Sequence, residues 1–339
     1  MPRASHPENW IKTNQQGLYC RALDAYIDPL EPVKRAIITH GHADHARPGH
    51  QHVFATPETL GIMKIRYGDD FCQTPHPMPY GQVADIQKGQ LHFVPAGHIL
   101  GSAQAVVDYA QHRLVLSGDY KRHHDPTCPP FEVTPCDVFV TEATFGLPVF
   151  KHPHINDEMK KLLDSMALFE HRCHLVGVYA LGKCQRLILS LRELGYHKPI
   201  YLHGALVNLC TFYEENGVDL GQWIPVSEVE DIKSLAGELV LAPPSALNDR
   251  WSRKLPDVIT AMASGWMQIR ARSKQRRSEL PLIISDHCDW PELIQTIEQV
   301  NPQEVWVTHG REQALVHQAQ RMGYKAKALS LIGYDEDES

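Results

Sequence analysis

Apolar positions in this chain fall into short runs with the lengths and residue types of strands, and most of those runs stop on a polar residue able to bind a metal or move a proton. Residues 33–39, 91–95, 113–117, 138–142, 280–284 and 305–308 are rich in Val, Ile, Leu and Phe and read as buried or half-buried strands. Residues 9–35 read as short strands and turns, and residues 57–67 as a helix, with Pro57 and Glu58 in its first turn and Leu60, Ile62, Met63 and Ile65 behind. From about residue 146 the texture changes. Helical periodicity at 154–167 and 182–194 alternates with apolar runs at 174–179, 199–202, 238–242 and 257–260, the pattern of a sheet flanked by helices. Residues 319–328 read as the end of a helix and its exit.

The ends of the strands carry the chemistry. Residues 33–39 deliver His40-Gly41-His42-Ala43-Asp44-His45, three histidines and an aspartate within six residues. Imidazole and carboxylate ligands without a thiolate point away from a closed structural zinc site and towards an open, reactive one. The alternative, a His-rich turn in solvent, predicts no further ligands at other strand ends. Yet His98 follows Gly97, Asp119 follows Gly118, Glu142 ends the 138–142 run, Asp286-His287 follows 280–284, and His309 follows 305–308. Each alone could be a loop residue, but together they are hard to assign to chance. Asp28 lies just upstream before Pro29, with Asp24 as a rival for any supporting role.

Composition narrows the classes. At 339 residues, one large or two associated domains are expected, and 43% hydrophobic with 22% charged residues is ordinary for a globular protein. No apolar run approaches the ~18 residues that span a bilayer, and the N-terminus lacks the apolar core of a signal peptide. The expectation is a cytoplasmic protein with no membrane partner. The 8 cysteines form no Cys-x-x-Cys pair and are expected to be reduced and mostly buried, with Cys288 the one to watch beside His287. A net charge of -7 excludes a protein coated in positive charge, but acids gathered at a metal site and in the tail at 335–338 leave room for a basic groove.

This order of motifs resembles the metallo-β-lactamase superfamily, and within it the nucleic-acid-processing β-CASP branch. The residues that carry the resemblance are Asp28, then His40, His42, Asp44 and His45, then His98, Asp119, Glu142, His287 and His309. Closer still, residues 26–29, 39–47, 95–102 and 141–146 are similar to the bacterial ligase-associated DNA exonucleases, relatives of the mRNA 3′-end processing endonuclease. The resemblance implies an α/β fold: an αββα sandwich from residues 1–145 and 281–339, with an α/β β-CASP domain inserted at 146–280 over the cleft. It implies two divalent metal ions, zinc or manganese. His40, His42 and His98 would hold one, Asp44, His45 and His309 the other, and Asp119 would bridge them. Water activated by both metals would attack phosphorus in line. Asp28 would orient a ligand or the attacking water, and His287 would protonate the leaving oxygen with Glu142 holding it in position.

A polynucleotide also needs cations. Arg270, Arg272, Lys274, Arg276 and Arg277 supply them beside Trp266, which could stack on a base or sit in the core. Lys183 lies at an expected helix start, where backbone N–H groups favour phosphate. The leading expectation, which the resemblance implies, is a DNA exonuclease on single-stranded ends, in repair, with a functional link to a DNA ligase and helicase. An RNA-processing nuclease is the nearest alternative. A small-molecule metallo-hydrolase or an inactive scaffold subunit is more distant, since neither calls for the complete ligand set together with His287 and the basic segment.

Overall fold

The computed structural model describes residues 6–269, 271 and 278–329. The chain divides into two compact units, one of Met1–Lys151 with His287–Ser339 and the other of His152–Asp286. Both junctions lie six residues beyond the expected 146–280.

The first unit is built on two sheets. One has six strands in the order Ile11–Asn14, Gly17–Cys20, Ala25–Ile27, Arg35–Ile37, His50–Ala55 and Cys72–Pro77. The other has seven, in the order Lys325–Ala328, Glu304–Gly310, Val138–Ala143, His112–Leu116, Ala103–Tyr109, Gly89–Pro95 and Ala84–Ile86. The two-residue period of a strand decides which side chain meets which layer. Ile37 joins Phe93, Leu116, Val140 and Trp306 in the core that both sheets share. Its neighbours Ala36 and Ile38 face the other way, against Val53 and against Leu60 and Met63 of the helix Pro57–Tyr67. In the second sheet Val305 and Val307 turn from Trp306 towards Leu293, Ile297 and Leu315, on the helices Trp290–Val300 and Glu312–Arg321. The layers are therefore helix, sheet, sheet, helix, as the αββα expectation requires. Truncating a fully buried member such as Ile37 to Ala costs about 2–5 kcal/mol.

Strand direction explains where the polar residues collect. Ala25–Ile27, Arg35–Ile37 and His50–Ala55 are parallel neighbours, and so are His112–Leu116, Val138–Ala143 and Glu304–Gly310. Parallel strands end on the same side, and the crevice beyond their carboxyl ends is where α/β proteins bind ligands. Asp28, His40, Asp119, Glu142 and His309 all lie at or just past such an end.

The second unit holds one six-stranded sheet in the order Trp223–Pro225, Ile200–Leu202, Leu239–Ala242, His174–Gly177, Ile259–Ala263 and Leu280–Leu282, with every pair parallel. Its helices are Ile155–Leu168, Lys183–Glu193 and Gly204–Glu215. Leu239–Ala242 and His174–Gly177 are buried at every position, which is why they read as unbroken apolar runs.

One expectation fails at the C-terminal end. The exit after residue 321 is a strand, Lys325–Ala328, paired in parallel with Glu304–Gly310. Its Lys-Ala alternation looks polar, but Lys327 sets its ammonium over the Trp306 ring, with Nζ 4.4 Å from the centroid, and reaches Glu8 at 2.7 Å. Lysines suit an edge strand because they discourage pairing with another chain.

Candidate metal and catalytic centre

Two loops set the floor of the site. After Arg35–Ile37 the chain turns through Thr39 into the histidine cluster, and Asp28 holds that turn. Its carboxylate accepts from Thr39 N at 2.8 Å and Thr39 Oγ1 at 2.6 Å, and lies 2.8 Å from His45 Nδ1. Asp28 has φ 44°, in the left-handed region that Asp and Asn tolerate best among residues with a Cβ. On the second sheet Gly118, with φ 55°, packs directly against the same threonine, next to Asp119. A Cβ at Gly118 would stand 2.8 Å from Thr39 Cβ and Oγ1. The loop that runs from His98 to Ser102 is closed by Ser102 Oγ, which accepts from His98 N and Ile99 N at 3.1 Å each.

The side chains converge on Asp119. One ligand atom each from His40, His42, His98 and Asp119 lies within 4.8 Å of the other three. His98 Nε2 is 3.0 Å from His42 Nδ1, and His40 Nε2 is 3.4 Å from Asp119 Oδ2. Nitrogen and oxygen donors on one tetrahedral ion at ordinary bond lengths sit about 3.3 Å apart. On the other side of Asp119 Oδ2, His45 Nε2 is 3.3 Å away and itself 3.7 Å from Asp44 Oδ2. The His309 ring lies 5.2 Å from that of His45, with its backbone in the left-handed region at φ 57°.

The electrostatics fit a cation. Burial, reinforced by His45, pushes the His40 imidazole well below the usual histidine range, and burial with His45 pushes His309 down to about 4. Both are therefore neutral at pH 7, with a lone pair to offer. Burial would raise the Asp119 carboxyl, but His45 and His287 outweigh it and hold it well below the usual range. Burial likewise lowers His45, while Asp119 and Asp44 more than reverse this and hold it well above its usual value. A divalent ion bound at Nε2 would stand in place of that proton. His40 Nε2 is buried and makes no hydrogen bond among the described residues, although its Nδ1 is 3.0 Å from Thr39 Oγ1. The donor set and its protonation states suit a divalent metal.

A second cluster adjoins the first. His287 Nδ1 is 3.0 Å from Glu142 Oε2, 3.2 Å from Glu142 Oε1 and 3.9 Å from Asp119 Oδ2. Glu142 is buried and also accepts from Tyr120 N at 2.8 Å. A carboxylate can only accept, so His287 presents Nδ1–H to it and turns Nε2 elsewhere.

The structure separates other sequence candidates. Asp24, the rival to Asp28, is half-exposed and paired with Arg35 at 2.6 Å, away from the ligands. Cys288 is fully buried, and burial pushes its thiol well above the usual range, so it is no nucleophile. None of the eight cysteines, all of them among the described residues, forms a disulfide. In the second unit, Lys183 does open the helix Lys183–Glu193, but its side chain is buried, 3.7 Å from Asp286 Oδ2 and over the Tyr179 ring at 4.5 Å. Trp266 is 4% exposed, so of its two readings the core one holds and no ring is offered for stacking. Arg270, Arg272, Lys274, Arg276 and Arg277 lie outside the described residues. Thr39 and the buried pair Lys121 and Glu292 escaped the sequence reading. Asp289-x-x-Glu292 before an apolar run is a helix-start signature, but nothing local marks Glu292 as the partner of Lys121.

Comparison with known proteins agrees with this geometry. Residues 282–329 match a family described as the Zn-dependent metallo-hydrolase RNA specificity domain. Over 330 residues the chain is 28% identical to a probable DNA ligase of Opitutus terrae, covering 94% of this chain and 31% of that protein. It is 23% identical over 288 residues to cleavage and polyadenylation specificity factor subunit 3-I of Arabidopsis thaliana, covering 68% of this chain and 42% of that one. It is 24% identical over 293 residues to the endoribonuclease YSH1 of Candida glabrata, covering 68% and 37%. The chain thus spans less than half the length of each of these relatives. A crystal structure of a protein of unknown function from Enterococcus faecalis V583 shares the fold, with a TM-score of 0.60 at 14% identity over 88% of this chain and 80% of that one.

Proposed function

We propose that this chain, a member of the β-CASP branch of the metallo-β-lactamase superfamily, is a metal-dependent nuclease that degrades DNA from single-stranded ends. The observation that carries the reading is the placement of His287, braced by Glu142, 3.9 Å from the carboxylate on which the metal-binding donors converge. A hydrolase acting on a good leaving group has no need of an acid there. Cleaving a phosphodiester expels an alkoxide, which does. No helix among the described residues is long and apolar enough to cross a membrane.

In this reading His40, His42 and His98 would hold one divalent ion and Asp44, His45 and His309 a second, with Asp119 available to both. Such a pair supplies Lewis acidity and lowers the pKa of water, so that attacking and leaving oxygens are both stabilised. The rest falls to the protein. Asp28 fixes the His45 tautomer by accepting from Nδ1, so Nε2 is the atom left to bind. Glu142 orients His287 through Nδ1, and His287 Nε2 gives its proton to the departing sugar oxygen. The phosphate then stays on the 5′ side of the product.

DNA is favoured because the match to the ligase-named protein runs along 94% of this chain. That match also motivates a role in repair beside a ligase, and a helicase would supply the unpaired ends. RNA is the second reading, favoured by the endoribonuclease relative and by the description of the matched family. The test is cleavage of 5′-labelled and 3′-labelled single-stranded DNA and of RNA of the same sequence, after metal stripping and separate reloading with zinc and manganese. Asp119→Ala serves as the control for contamination. Metal-restored loss of DNA alone, absent in the variant, supports the DNA reading and gives the polarity. Loss of RNA alone moves the protein to RNA processing, and no cleavage of either by loaded protein refutes a nuclease.

A further inference from the structure

We propose that the buried pair Lys121 and Glu292 is a positioning device for His287. His287 sits in the loop between the strand Leu280–Leu282 and the helix Trp290–Val300, outside either element. The peptide unit that follows it is nevertheless clamped on both sides. Its carbonyl oxygen accepts from Lys121 Nζ at 3.1 Å, and its N–H, that of Cys288, donates to Tyr120 O at 2.8 Å. Holding this peptide plane fixes ψ of His287 and with it the direction in which the imidazole leaves the backbone.

Lys121 is itself held. Nζ donates to Glu292 Oε2 at 2.7 Å, and the same oxygen accepts from Asp289 N at 3.1 Å. Glu292 Oε1 accepts from His123 N at 2.8 Å and lies 2.9 Å from His123 Nδ1. Lys121 and Glu292 are 3% and 5% exposed. Residues 120–123 are therefore fastened to residues 287–292 at four points, directly after Asp119 and directly around His287. Tyr120 joins the two sides, since its N–H binds Glu142 and its carbonyl binds Cys288 N.

Stability alone does not account for such a pair. Two buried charges recover little more than their desolvation cost, and an apolar pair of similar volume serves a core as well or better. What an apolar pair cannot supply is the second bond of Nζ, to the His287 carbonyl. This inference rests on His287 being the acid of the proposed reaction.

The test compares two forms of the DNA substrate, one with ordinary linkages and one with a single 3′-bridging phosphorothiolate, whose thiolate leaves without a proton. His287→Ala sets the scale, with an expected loss of kcat of ~10²–10⁴-fold on the oxygen linkage and far less on the sulfur linkage. Lys121→Met removes the clamp but leaves Glu292 buried without it, so the double variant K121M/E292L provides a second version expected to fold. Both are expected to lose roughly 10–10²-fold in kcat on the oxygen linkage, to lose under about threefold on the sulfur linkage, and to keep their metal content and KM. Lys121→Arg, which still offers two donors, should restore most of the loss. Equal losses on both linkages in the double variant, with a selective His287→Ala, would overturn the positioning role and leave the reaction as proposed. A His287→Ala variant that loses equally on both linkages would instead remove the acid role on which the inference rests.

Discussion

Replacing Asp28 by Asn tests the centre without moving its backbone. Residue 28 sits at φ 44°, where Asn is as well accommodated as Asp, and the two side chains have the same shape. The substitution exchanges one carboxylate oxygen for an NH₂ group. Oδ1 can keep its bond from Thr39 N, but the amide nitrogen now stands where Oδ2 met Thr39 Oγ1 at 2.6 Å and His45 Nδ1 at 2.8 Å. An amide donor there turns Nδ1 of the neutral imidazole into an acceptor and moves its proton to Nε2, the atom that lies 3.3 Å from Asp119 Oδ2. The ring must then lose its support or lose its ligand lone pair. A charge-assisted hydrogen bond of this kind is worth about 1.5–3 kcal/mol, and the loss of a ligand's supporting partner typically weakens metal binding by about 10–100-fold. Calorimetric titration of zinc into stripped protein, wild type beside Asp28→Asn, measures it, with circular dichroism confirming the fold. Binding within about threefold of wild type, outside the range expected for such a partner, would refute the tautomer argument.

Three further outcomes are expected. His98→Ala should reduce the metal bound at saturation from two ions per chain to one by native mass spectrometry, because His98 belongs to only one of the two donor sets; unchanged stoichiometry would contradict this division. Gly118→Ala should destabilise the protein by about 2–4 kcal/mol in urea unfolding, combining a left-handed φ with overpacking against Thr39. His50 is fully buried, burial pushes its pKa down to about 4, and Nδ1 accepts from Val33 N at 3.1 Å. The unfolded chain therefore binds this proton first, and stability present above pH ~6.5 falls as pH drops towards 4, by of order 3 kcal/mol from this group. His50→Asn, which keeps an acceptor near the Nδ1 position, should flatten that part of the pH–stability curve, and an unchanged acid slope would assign it to other groups.

The polar residues that gather around Asp119 were legible because they lie beside strand ends, and a strand's end is marked locally by an apolar run giving way to Gly, His or Asp. His40, His98, Asp119, Glu142 and His309 all carry that mark, and parallel neighbours sharing one direction bring such ends together. The layer order was legible for a similar reason, since a two-residue period states which face is buried.

Other features depend on partners far away in the chain, and no local pattern encodes those. Asp24 and Asp28 look alike as loop acids, but only Asp28 meets His45. Trp266 reads equally as a stacking platform or a core residue, and the fold buries it. Lys183 looks like a phosphate ligand, yet its side chain is enclosed against Asp286. Lys325–Ala328 looks like an exit, and becomes a strand because Glu304–Gly310 offers an open edge. Lys121 and Glu292 stand 171 positions apart, and burial turns two ordinary surface residue types into one ion pair. Chain order specifies the polar strand ends and the layers through short-range periodicity. Which acid supports which histidine, and which lysine holds which loop, follows only from folding, because a charge gains its meaning from the partners that replace water around it.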